Sequence, residues 1–499
     1  MKEFFTYTTP EKIGVKSENV IKFMSELEHF GVYLHSFALI KGNEIFAEMY
    51  RKPFKKDELH RMYSTTKTFA SMALGILIGE GKVNLSDKVI KYFPEYAECK
   101  YQQVLDMTIE DMLRMATCFS CGTTYGAHGP AYEQKDWVST FFNTNTSHPS
   151  GTLFNYDTSA SYMCNVIVER VTGMPFIEFL REKALGKIGF SKDARVLKAP
   201  EGYSWGGSAL LASTLDLARL ARLTMLDGEW DGEQLLPRDY VVAAKSNLID
   251  NDQSGFRTTH GGHGYGYQIW RTVDNTFSFL GMGEQLAICM PEEDLLFVCT
   301  ADCQGIAGIS RSTIYINLWH CIKDTIVKDA LPENPEAYAK LKAMCESREF
   351  PIYPGNKTSA IAEKIRNKKF KLRDSACGIK EIAFDYDNEG NGVMKYTNAQ
   401  GYKELKFGIG KTIIDTFPQD GYFGDVIGVD SGRRYRCISS GAWTNDTTLH
   451  IKSDLIDDYF GNLNIIAVFK GDEISIYMDS HAEWFLNEYK GFTCGKLAE

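Results

Sequence analysis

The sequence has no excess of basic residues. Its 499 residues include 55 lysines and arginines against 65 aspartates and glutamates, which gives a formal net charge of −10. Proteins that bind nucleic acid or an anionic membrane surface usually carry a basic patch or a positive net charge. We therefore expect neither a nucleic acid nor a membrane among the partners of this chain.

Long hydrophobic runs are also missing. The longest candidate, Thr68–Gly79, is shorter than the roughly 20 residues that a membrane-spanning helix needs. The first residues, MKEFFTYTTPEKIG, do not combine a basic stretch with the apolar core of a signal peptide. These two absences predict a cytoplasmic chain whose cysteines are reduced.

The sequence also lacks a complete set of zinc ligands. The 12 cysteines include one CxxC pair, Cys118 and Cys121. Structural zinc sites use four ligands, and neither a second CxxC nor a histidine cluster completes this pair. We interpret the pair as structural and expect no metal and no organic cofactor.

The length indicates more than one domain, because 499 residues exceed an ordinary domain of roughly 100–200 residues. We predict a first domain over residues 1–330 and a linker with a short helix, bracketed by prolines, over 331–367. Residues 368–499 show short strand patterns separated by turn signals such as Lys470-Gly471-Asp472. This last segment predicts an antiparallel β-barrel or β-sandwich.

The first predicted domain mixes helix and strand patterns. Apolar residues recur at helical spacing in Glu11–Phe30, Ser213–Leu226 and Ile309–Val327. Residues Ser36–Met49 and Phe277–Asp302 instead show short strand patterns with turns between them. The fold class is therefore α/β of the α+β type, with an antiparallel sheet flanked by helices and a helix-rich middle.

The most unusual helix pattern begins just after Ser64 and Lys67. From Thr68 to Gly79 the sequence TFASMALGILIG contains no charged residue, so this helix must be buried on all sides. Ser64 and Lys67 are three residues apart and project from the same face. Burial and the helix N-terminus both disfavour an ammonium group, which would make Lys67 a usable base for a serine nucleophile.

A structural role for the same two residues is the alternative. Ser64 would then only cap the helix, and Lys67 would extend its ammonium group into solvent. However, Ser64 is the one serine in the sequence that is followed by a lysine three residues later. Since this single instance falls at the start of the apolar helix, we favour catalysis.

This arrangement resembles the serine β-lactamase and penicillin-binding-protein superfamily, in which Ser-x-x-Lys opens a buried helix. The branch of β-lactamase-like esterases and amidases is the most similar. Further matches occur in family order along residues 8–328, and they are Pro10–Gly14, Gly81–Val89, Thr108–Leu113, Gly151–Tyr156, Gly206-Gly207 and Ser213–Arg219.

The resemblance implies a catalytic tyrosine at Tyr156, in the position of the family's Tyr-x-Asn motif. A phenol beside a lysine can lose its proton well below its usual pKa of about 10 and can pass a proton to the leaving group. Here the motif is Tyr156-Asp157-Thr158, so Thr158 replaces the asparagine. Thr158 is still a candidate for the substrate cleft.

The family's third motif, Lys-Thr-Gly or His-x-Gly, corresponds by position to Phe279-Leu280-Gly281. The following residues resemble a Gly-x-Gly-Gly-Gln version found in some esterase and amidase relatives. Phe279 replaces the cation that would bind a substrate carboxylate, and Phe279 and Gly281 are cleft candidates. The resemblance implies that the backbone amides of Ser64 and Met282 form the oxyanion hole.

Two other motifs compete for a role. Gly202-Tyr203-Ser204-Trp205-Gly206 fits the GxSxG nucleophile elbow, but the preceding segment is broken by proline and charge. His260-Gly261-Gly262-His263 fits a metal pair or a His-x-Gly motif, and its position before the strand pattern favours a glycine-rich loop. His263 and Tyr265 are predicted to line the cleft.

The sequence therefore predicts a serine hydrolase that acts through an acyl-enzyme on an ester or amide of a small molecule or peptide. Ser64 is the predicted nucleophile, and Lys67 and Tyr156 relay protons. A penicillin-binding-like sensor with little turnover is the alternative. A true β-lactamase is disfavoured by the missing Lys-Thr-Gly motif. The sequence leaves the oligomeric state open.

Overall fold

The structure, a computed structural model, describes residues 3–120, 135–252, 257–419, 434–482 and 485–498. The chain divides into two compact units. The first is made by Met1–Arg348, and the second is made mainly by the residues from Glu349 onward. Cys118 of the CxxC pair is buried, whereas Cys121 lies outside the described residues.

Helices and strands contribute similarly to the described residues. The α-helices are α1 (Ser17–His29), α2 (Thr66–Gly79), α3 (Gln102–Asp106), α4 (Ile109–Leu113), α5 (Trp137–Asn143), α6 (Thr158–Thr172), α7 (Phe176–Lys183), α8 (Thr214–Met225), α9 (Arg238–Ala244), α10 (Ala307–Cys321), α11 (Pro335–Glu346) and α12 (Ala362–Ile365). The strands of the first unit are β1 (Thr6–Tyr7), β2 (Leu34–Lys41), β3 (Glu44–Tyr50), β4 (His60–Arg61), β5 (Arg195–Val196), β6 (Leu210–Ala212), β7 (Glu229–Trp230), β8 (Glu233–Gln234), β9 (Trp270–Arg271), β10 (Phe277–Gly281), β11 (Gln285–Met290) and β12 (Leu295–Ala301).

A seven-stranded sheet forms the centre of the first unit. Its strand order is β1-β3-β2-β12-β11-β10-β9. All pairs are antiparallel except β1 with β3, and the two predicted strand patterns become the hairpin β2–β3 and the meander β10–β11–β12. The sheet therefore joins an N-terminal hairpin to strands that lie more than 200 residues later, through the β2–β12 pair.

Helices cover both faces of this sheet. Helix α1 buries Val20, Phe23, Met24 and Leu27 in one core with residues of the sheet, α10 and α11. This helix begins at Ser17, later than predicted, because Gly14 takes a left-handed φ of 82° and ends the preceding 3₁₀ turn. Helix α8 packs against β12, β11 and β2.

Other helices of the first unit form a subdomain around α2. Helix α2 packs against α6, α7 and α9. This packing buries every residue from Thr66 to Leu77, as the absence of charge predicted. The expected α+β architecture of the first unit, a helix-flanked antiparallel sheet with a helical subdomain, is confirmed.

The second unit is a closed barrel. Its strands are β13 (Phe370–Leu372), β14 (Glu381–Tyr386), β15 (Asn391–Asn398), β16 (Gly401–Ile409), β17 (Ile413–Thr416), β18 (Arg436–Asn445), β19 (Thr448–Ile456), β20 (Phe460–Lys470), β21 (Glu473–Ala482) and β22 (Gly491–Leu497). Neighbouring strands pair antiparallel from β13 to β16 and from β17 to β22, β13 also pairs antiparallel with β22, and a parallel β16–β18 contact closes the ring. Rings such as Phe384, Trp443 and Phe469 contact one another in its core. The predicted C-terminal β-barrel or sandwich is thus a barrel.

The segment interpreted as a linker, 331–367, is divided between the two units at Arg348. Helix α11 lies in the first unit, where Leu341 and Cys345 join the core of the sheet. Among the described residues, no helix is both long enough and apolar enough to cross a membrane.

Candidate active site

Ser64 is the one partly exposed residue of a buried segment. From His60 through Leu77, every residue except Ser64 is buried. Ser64 belongs to the 3₁₀ turn Tyr63–Thr65, which runs directly into α2. Tyr63 takes a φ of 44°, a left-handed conformation that is unusual for a bulky residue and that often accompanies functional sites. The local fold thus presents one serine side chain at the start of a core helix.

Lys67 places its amine beside this hydroxyl. The Nζ atom lies 3.0 Å from Ser64 Oγ and 2.6 Å from the carbonyl oxygen of Gly207. Only 1% of the Lys67 surface is exposed. The predicted pair of a serine and a buried lysine on one helical face is therefore present, and a loop carbonyl holds the amine from the other side.

The Gly207 carbonyl reaches Lys67 because its loop has no side chains at two positions. A Cβ atom at Gly206 would lie 2.5 Å from Asn165 Cβ, and one at Gly207 would lie 2.6 Å from Thr158 Cγ2. Asn165 and Thr158 both belong to α6. The Gly206-Gly207 pair thus lets the loop pass between α6 and α2 at a distance that no other residue type permits.

Tyr156 is the third predicted catalytic residue that the structure brings to this point. Its ring centroid lies 5.1 Å from Lys67 Nζ. Burial raises the pKa of Tyr156 to about 12, and a hydrogen bond with Ser64 and the charge of Arg311 only partly oppose this increase. The expectation of a pKa below 10 is therefore wrong, and the phenol is neutral near pH 7.

The loop that carries Tyr156 is anchored on both sides. The Asn155 backbone N–H donates to Met115 O at 2.7 Å. Asp157 caps α6 by accepting from the Ser159 N–H at 2.8 Å. Thr158, which replaces the family's asparagine, is the first residue of α6 and packs against Gly207 rather than projecting as a long polar group.

Strand β10 ends against the Ser64 turn. A Cβ atom at Gly281 would lie 2.7 Å from the carbonyl oxygen of Met62, so the strand approaches the backbone just before Ser64. Met282 follows directly in the turn, next to this contact. Phe279 lies on the same face of β10 as Gly281 and is 1% exposed, so its ring is packed in the interior.

The cleft candidate Tyr265 lies in an aromatic cluster beside Tyr156. The Tyr265 ring is 5.0 Å from Trp270, and Trp270 is 5.3 Å from the Tyr156 ring. His263 instead bonds to the Thr258 carbonyl of its own loop at 2.7 Å. The structure thus connects Tyr265, but not His263, to the serine, lysine and tyrosine.

The competing GxSxG motif has no elbow geometry. Ser204 is buried, and its Oγ accepts from Lys198 Nζ at 3.1 Å. It is followed by the loop to β6 rather than by a helix, which a nucleophile elbow requires. Among the residues that the structure describes, no group of three or more His, Cys, Asp or Glu side chains is arranged for a metal ion.

Two residues near the site were missed by the sequence analysis. Glu284 has a fully buried side chain, and its Oε2 accepts from Arg311 Nε at 2.9 Å. Arg311 also approaches the Gly281 carbonyl, at 3.5 Å. The sequence did contain a signal for Glu284, because this glutamate replaces the second of the two adjacent glycines in the Gly-x-Gly-Gly-Gln pattern. Arg311 lies in a helix and carries no motif.

The chain is similar to known hydrolases in sequence and in fold. The 6-aminohexanoate-dimer hydrolase of Paenarthrobacter ureafaciens is 28% identical over 262 residues, which cover 50% of this chain and 67% of that protein. A solved structure assigned as a 6-aminohexanoate-dimer hydrolase from Bacillus anthracis has a TM-score of 0.52 and 18% identity, covering 67% of this chain and 89% of that one. A family VIII carboxylesterase has a TM-score of 0.50 and 14% identity, covering 63% and 99%.

The profile of the Beta-lactamase family matches residues 20–306. This range contains Ser64, Lys67, Tyr156 and the strands β10 to β12. Because the match spans more than half of the 499 residues, the chain belongs to the beta-lactamase family of serine hydrolases.

Proposed function

We propose that this enzyme hydrolyses an ester or amide of a small molecule or peptide through an acyl-enzyme on Ser64. The observation that carries the proposal is the distance of 3.0 Å between Lys67 Nζ and Ser64 Oγ, at the one residue of a buried segment that is not itself buried. A serine hydroxyl becomes a nucleophile when an adjacent base accepts its proton.

Lys67 is the proposed base for acylation. Burial disfavours the charged ammonium and so favours a neutral amine at this position. A neutral amine can donate one N–H to the Gly207 carbonyl and direct its lone pair at the Ser64 hydroxyl, which fits both observed distances. The Ser64 proton passes to Lys67 as Oγ attacks the substrate carbonyl carbon.

Tyr156 is the proposed proton donor to the leaving group. Its pKa of about 12 means that the phenol enters the reaction protonated. It can donate its proton to the departing oxygen or nitrogen and regain one from Lys67, so that no net proton is gained or lost. Water then attacks the acyl-enzyme by the same route in reverse.

The oxyanion of the tetrahedral intermediate needs two donors. We assign them to the backbone N–H groups of Ser64 and Met282, which are supported by the close approach of Gly281 to the Met62 carbonyl. Strand β10 carries Phe279 at the position where the family motif has a lysine or histidine. The proposed substrate therefore does not need a carboxylate that this strand would bind. The relatives' names, a dimer hydrolase and a carboxylesterase, support an amide or an ester as the scissile group.

Labelling with a fluorophosphonate followed by mass mapping tests this proposal. We expect a single modified residue, Ser64, and a loss of p-nitrophenyl acetate hydrolysis in S64A to the background rate. The matched control is S204A, which removes the hydroxyl of the competing motif and should keep kcat within about threefold. A burst without further turnover would favour the sensor alternative, whereas modification of Ser204 would contradict the assignment.

A further inference from the structure

The turn between β10 and β11 contains a residue in an unfavourable backbone conformation. Gly281 pairs with Gln285, so Met282, Gly283 and Glu284 form a three-residue connection. Glu284 takes a φ of 73°, in the left-handed region that favours glycine. A glutamate keeps this conformation only if other contacts compensate for its cost.

Those contacts come from the first turns of α10. The Glu284 carboxylate accepts from Ser310 Oγ at 2.8 Å and from Arg311 Nε at 2.9 Å, and its side chain is fully buried. A buried carboxylate is costly unless it is both paired and hydrogen-bonded, and here both conditions are met. The ion pair therefore ties the turn to a helix of the core.

The same turn is fixed at Met282. Gln285 donates from Nε2 to the Met282 carbonyl at 2.7 Å and to the Ala301 carbonyl at 2.7 Å. Arg311 approaches the carbonyl of Gly281, the residue before Met282, at 3.5 Å. Arg311 thus contacts the peptide group that contains the Met282 N–H, and Gln285 holds the next peptide group along the chain.

We propose that Glu284 and Arg311 are positioning residues, whose buried ion pair holds the Met282 amide toward Ser64 during acyl transfer. This inference rests on the proposed function, because it gives the amide a role only if Ser64 is acylated. Neither residue touches the reacting atoms. Their effect is to keep one hydrogen-bond donor of the oxyanion hole in place. Loss of such a donor lowers the rate of the chemical step, kcat, and has little effect on substrate binding.

Strand β11 offers a matched control at its other end. Asp294, in the β11–β12 turn, also takes a left-handed φ, of 51°, and its carboxylate pairs with Arg222 of α8. This second ion pair also joins a left-handed turn to a helix, but the Asp294 side chain is 52% exposed, and six strand residues, or roughly 20 Å, separate the two turns. D294G therefore controls for removing a carboxylate from a left-handed turn of the same strand, and Tm measures the structural cost at each turn.

The experiment measures kcat, KM and Tm for ester hydrolysis by the full chain. E284G removes the carboxylate but suits the backbone conformation, so we expect it to fold and to lose at least tenfold in kcat with KM within threefold. R311M should lose a similar factor. E284Q keeps an acceptor for Arg311 and a partner for Ser310, and it should stay within threefold of the parent. D294G should keep kcat within twofold.

The outcomes separate this inference from the proposed function. If Ser64 is labelled by the fluorophosphonate but E284G and R311M keep the parental kcat, the ion pair only offsets backbone cost and the positioning role is overturned. If D294G loses kcat as much as E284G, the effect is structural and the role is also overturned. If Ser64 is not labelled in the parent chain, the proposed function itself fails.

Discussion

At the scale of single residues, burial determines what each group of the site can do. Ser64 remains accessible while its neighbours on both sides are buried. Lys67 is buried, which disfavours its ammonium, and desolvation raises the pKa of the Tyr156 phenol, which disfavours its phenolate. The proposed relay needs a neutral amine and a neutral phenol before the reaction begins, and desolvation acts in that direction at both residues.

The first prediction concerns Tyr156→Phe. Because the phenol is the proposed proton donor, the variant should lose about 10²- to 10⁴-fold in kcat, with little change in KM. With a Tyr156 pKa of about 12, the parental rate should show no decline from ionisation of this group between pH 7 and pH 10. Both are checked by pH–rate profiles of p-nitrophenyl ester hydrolysis. A variant that keeps a third of the parental kcat would contradict the assigned role.

The second prediction concerns acid stability and a buried histidine pair. His35 Nδ1 lies 2.9 Å from His60 Nε2, and burial lowers the pKa of His60 from 6.5 to about 3. Between these values the unfolded chain binds a proton that the folded chain does not, so stability falls as the pH drops from about 6.5 toward 3. The titration of His60 changes the free energy of unfolding by at most about 1.4 kcal/mol per pH unit.

The measurement is the midpoint of the first thermal transition from pH 7.5 to pH 4.5. H60Q, which cannot titrate, should be less stable at pH 7.5 but should show a smaller loss on acidification. The raised pKa of the buried Asp157 acts in the opposite direction and remains in both proteins. H29Q, at an exposed histidine, is the control for a histidine-to-glutamine substitution elsewhere in the first unit. Equal slopes for H60Q and the parent would refute the prediction.

At the scale of elements, the site is assembled from four segments that are distant in sequence. Helix α2 supplies Lys67, the loop before α6 supplies Tyr156, and β10 ends beside the Ser64 turn. The Gly206-Gly207 loop passes between α2 and α6 and contributes a backbone carbonyl instead of a side chain. The close passage of this loop therefore brings the Gly207 carbonyl within hydrogen-bonding distance of the Lys67 amine.

The third prediction tests this loop with Gly207→Ala. The new Cβ would lie 2.6 Å from Thr158 Cγ2 and 2.9 Å from Thr158 O, so the loop must move away from Lys67. We expect a lower Tm and a loss of roughly tenfold in kcat, on the scale of about 1.4 kcal/mol. G207A combined with T158S, which removes Cγ2, should recover part of both losses. Assays of kcat and Tm check this.

The control for this glycine substitution is G308A. Nothing lies within 4 Å of a Cβ atom at Gly308, and its φ does not require glycine. G308A should therefore keep the parental kcat and Tm. If G207A had the same kcat and Tm as G308A, the close contact of the Gly206-Gly207 loop with Thr158 would not affect the site.

The same elements show what could be predicted from the sequence. The apolar pattern of α2, the helical spacing in Ser213–Leu226 that marks α8 and the hairpin turns are local signals, and the structure contains each of them. The contacts of Glu284 with Arg311 depend on two elements that meet only in three dimensions. The left-handed φ of Tyr63 arises from the packing of its turn, and no residue type marks it in the sequence.

The pKa of Tyr156 could not be predicted for a related reason. A lysine neighbour lowers the pKa of a phenol, and the sequence showed that neighbour through the family motif. Desolvation raises the pKa, and its extent depends on the aromatic cluster with Trp270 and Tyr265, which lie more than 100 residues away. Desolvation outweighs the charge effects here, and only the folded chain shows how large it is.

At the scale of the whole molecule, the chain combines an enzyme domain with a closed β-barrel. All residues of the proposed site, from Ser64 to Arg311, lie in the first unit. The composition shift near Leu331 was visible in the sequence, but the helix that follows it, α11, lies in the first unit and joins its core. A proline-bracketed helix with only a few apolar residues does not show by itself which domain it will pack against.

The last prediction separates the two units. A chain ending at Arg348 keeps α11, whose Leu341 and Cys345 are buried in the core with Met24 of α1. We expect this chain to fold, to react with the fluorophosphonate at Ser64 and to keep ester kcat within about threefold of the full chain. The matched control is a chain ending at Asn334, which lacks α11. Uncovering the apolar surface that α11 buries should lower its Tm, because each large buried side chain contributes about 1.5–3 kcal/mol. If the chain ending at Arg348 folds but loses more than a hundredfold in kcat, the barrel contributes to the active site.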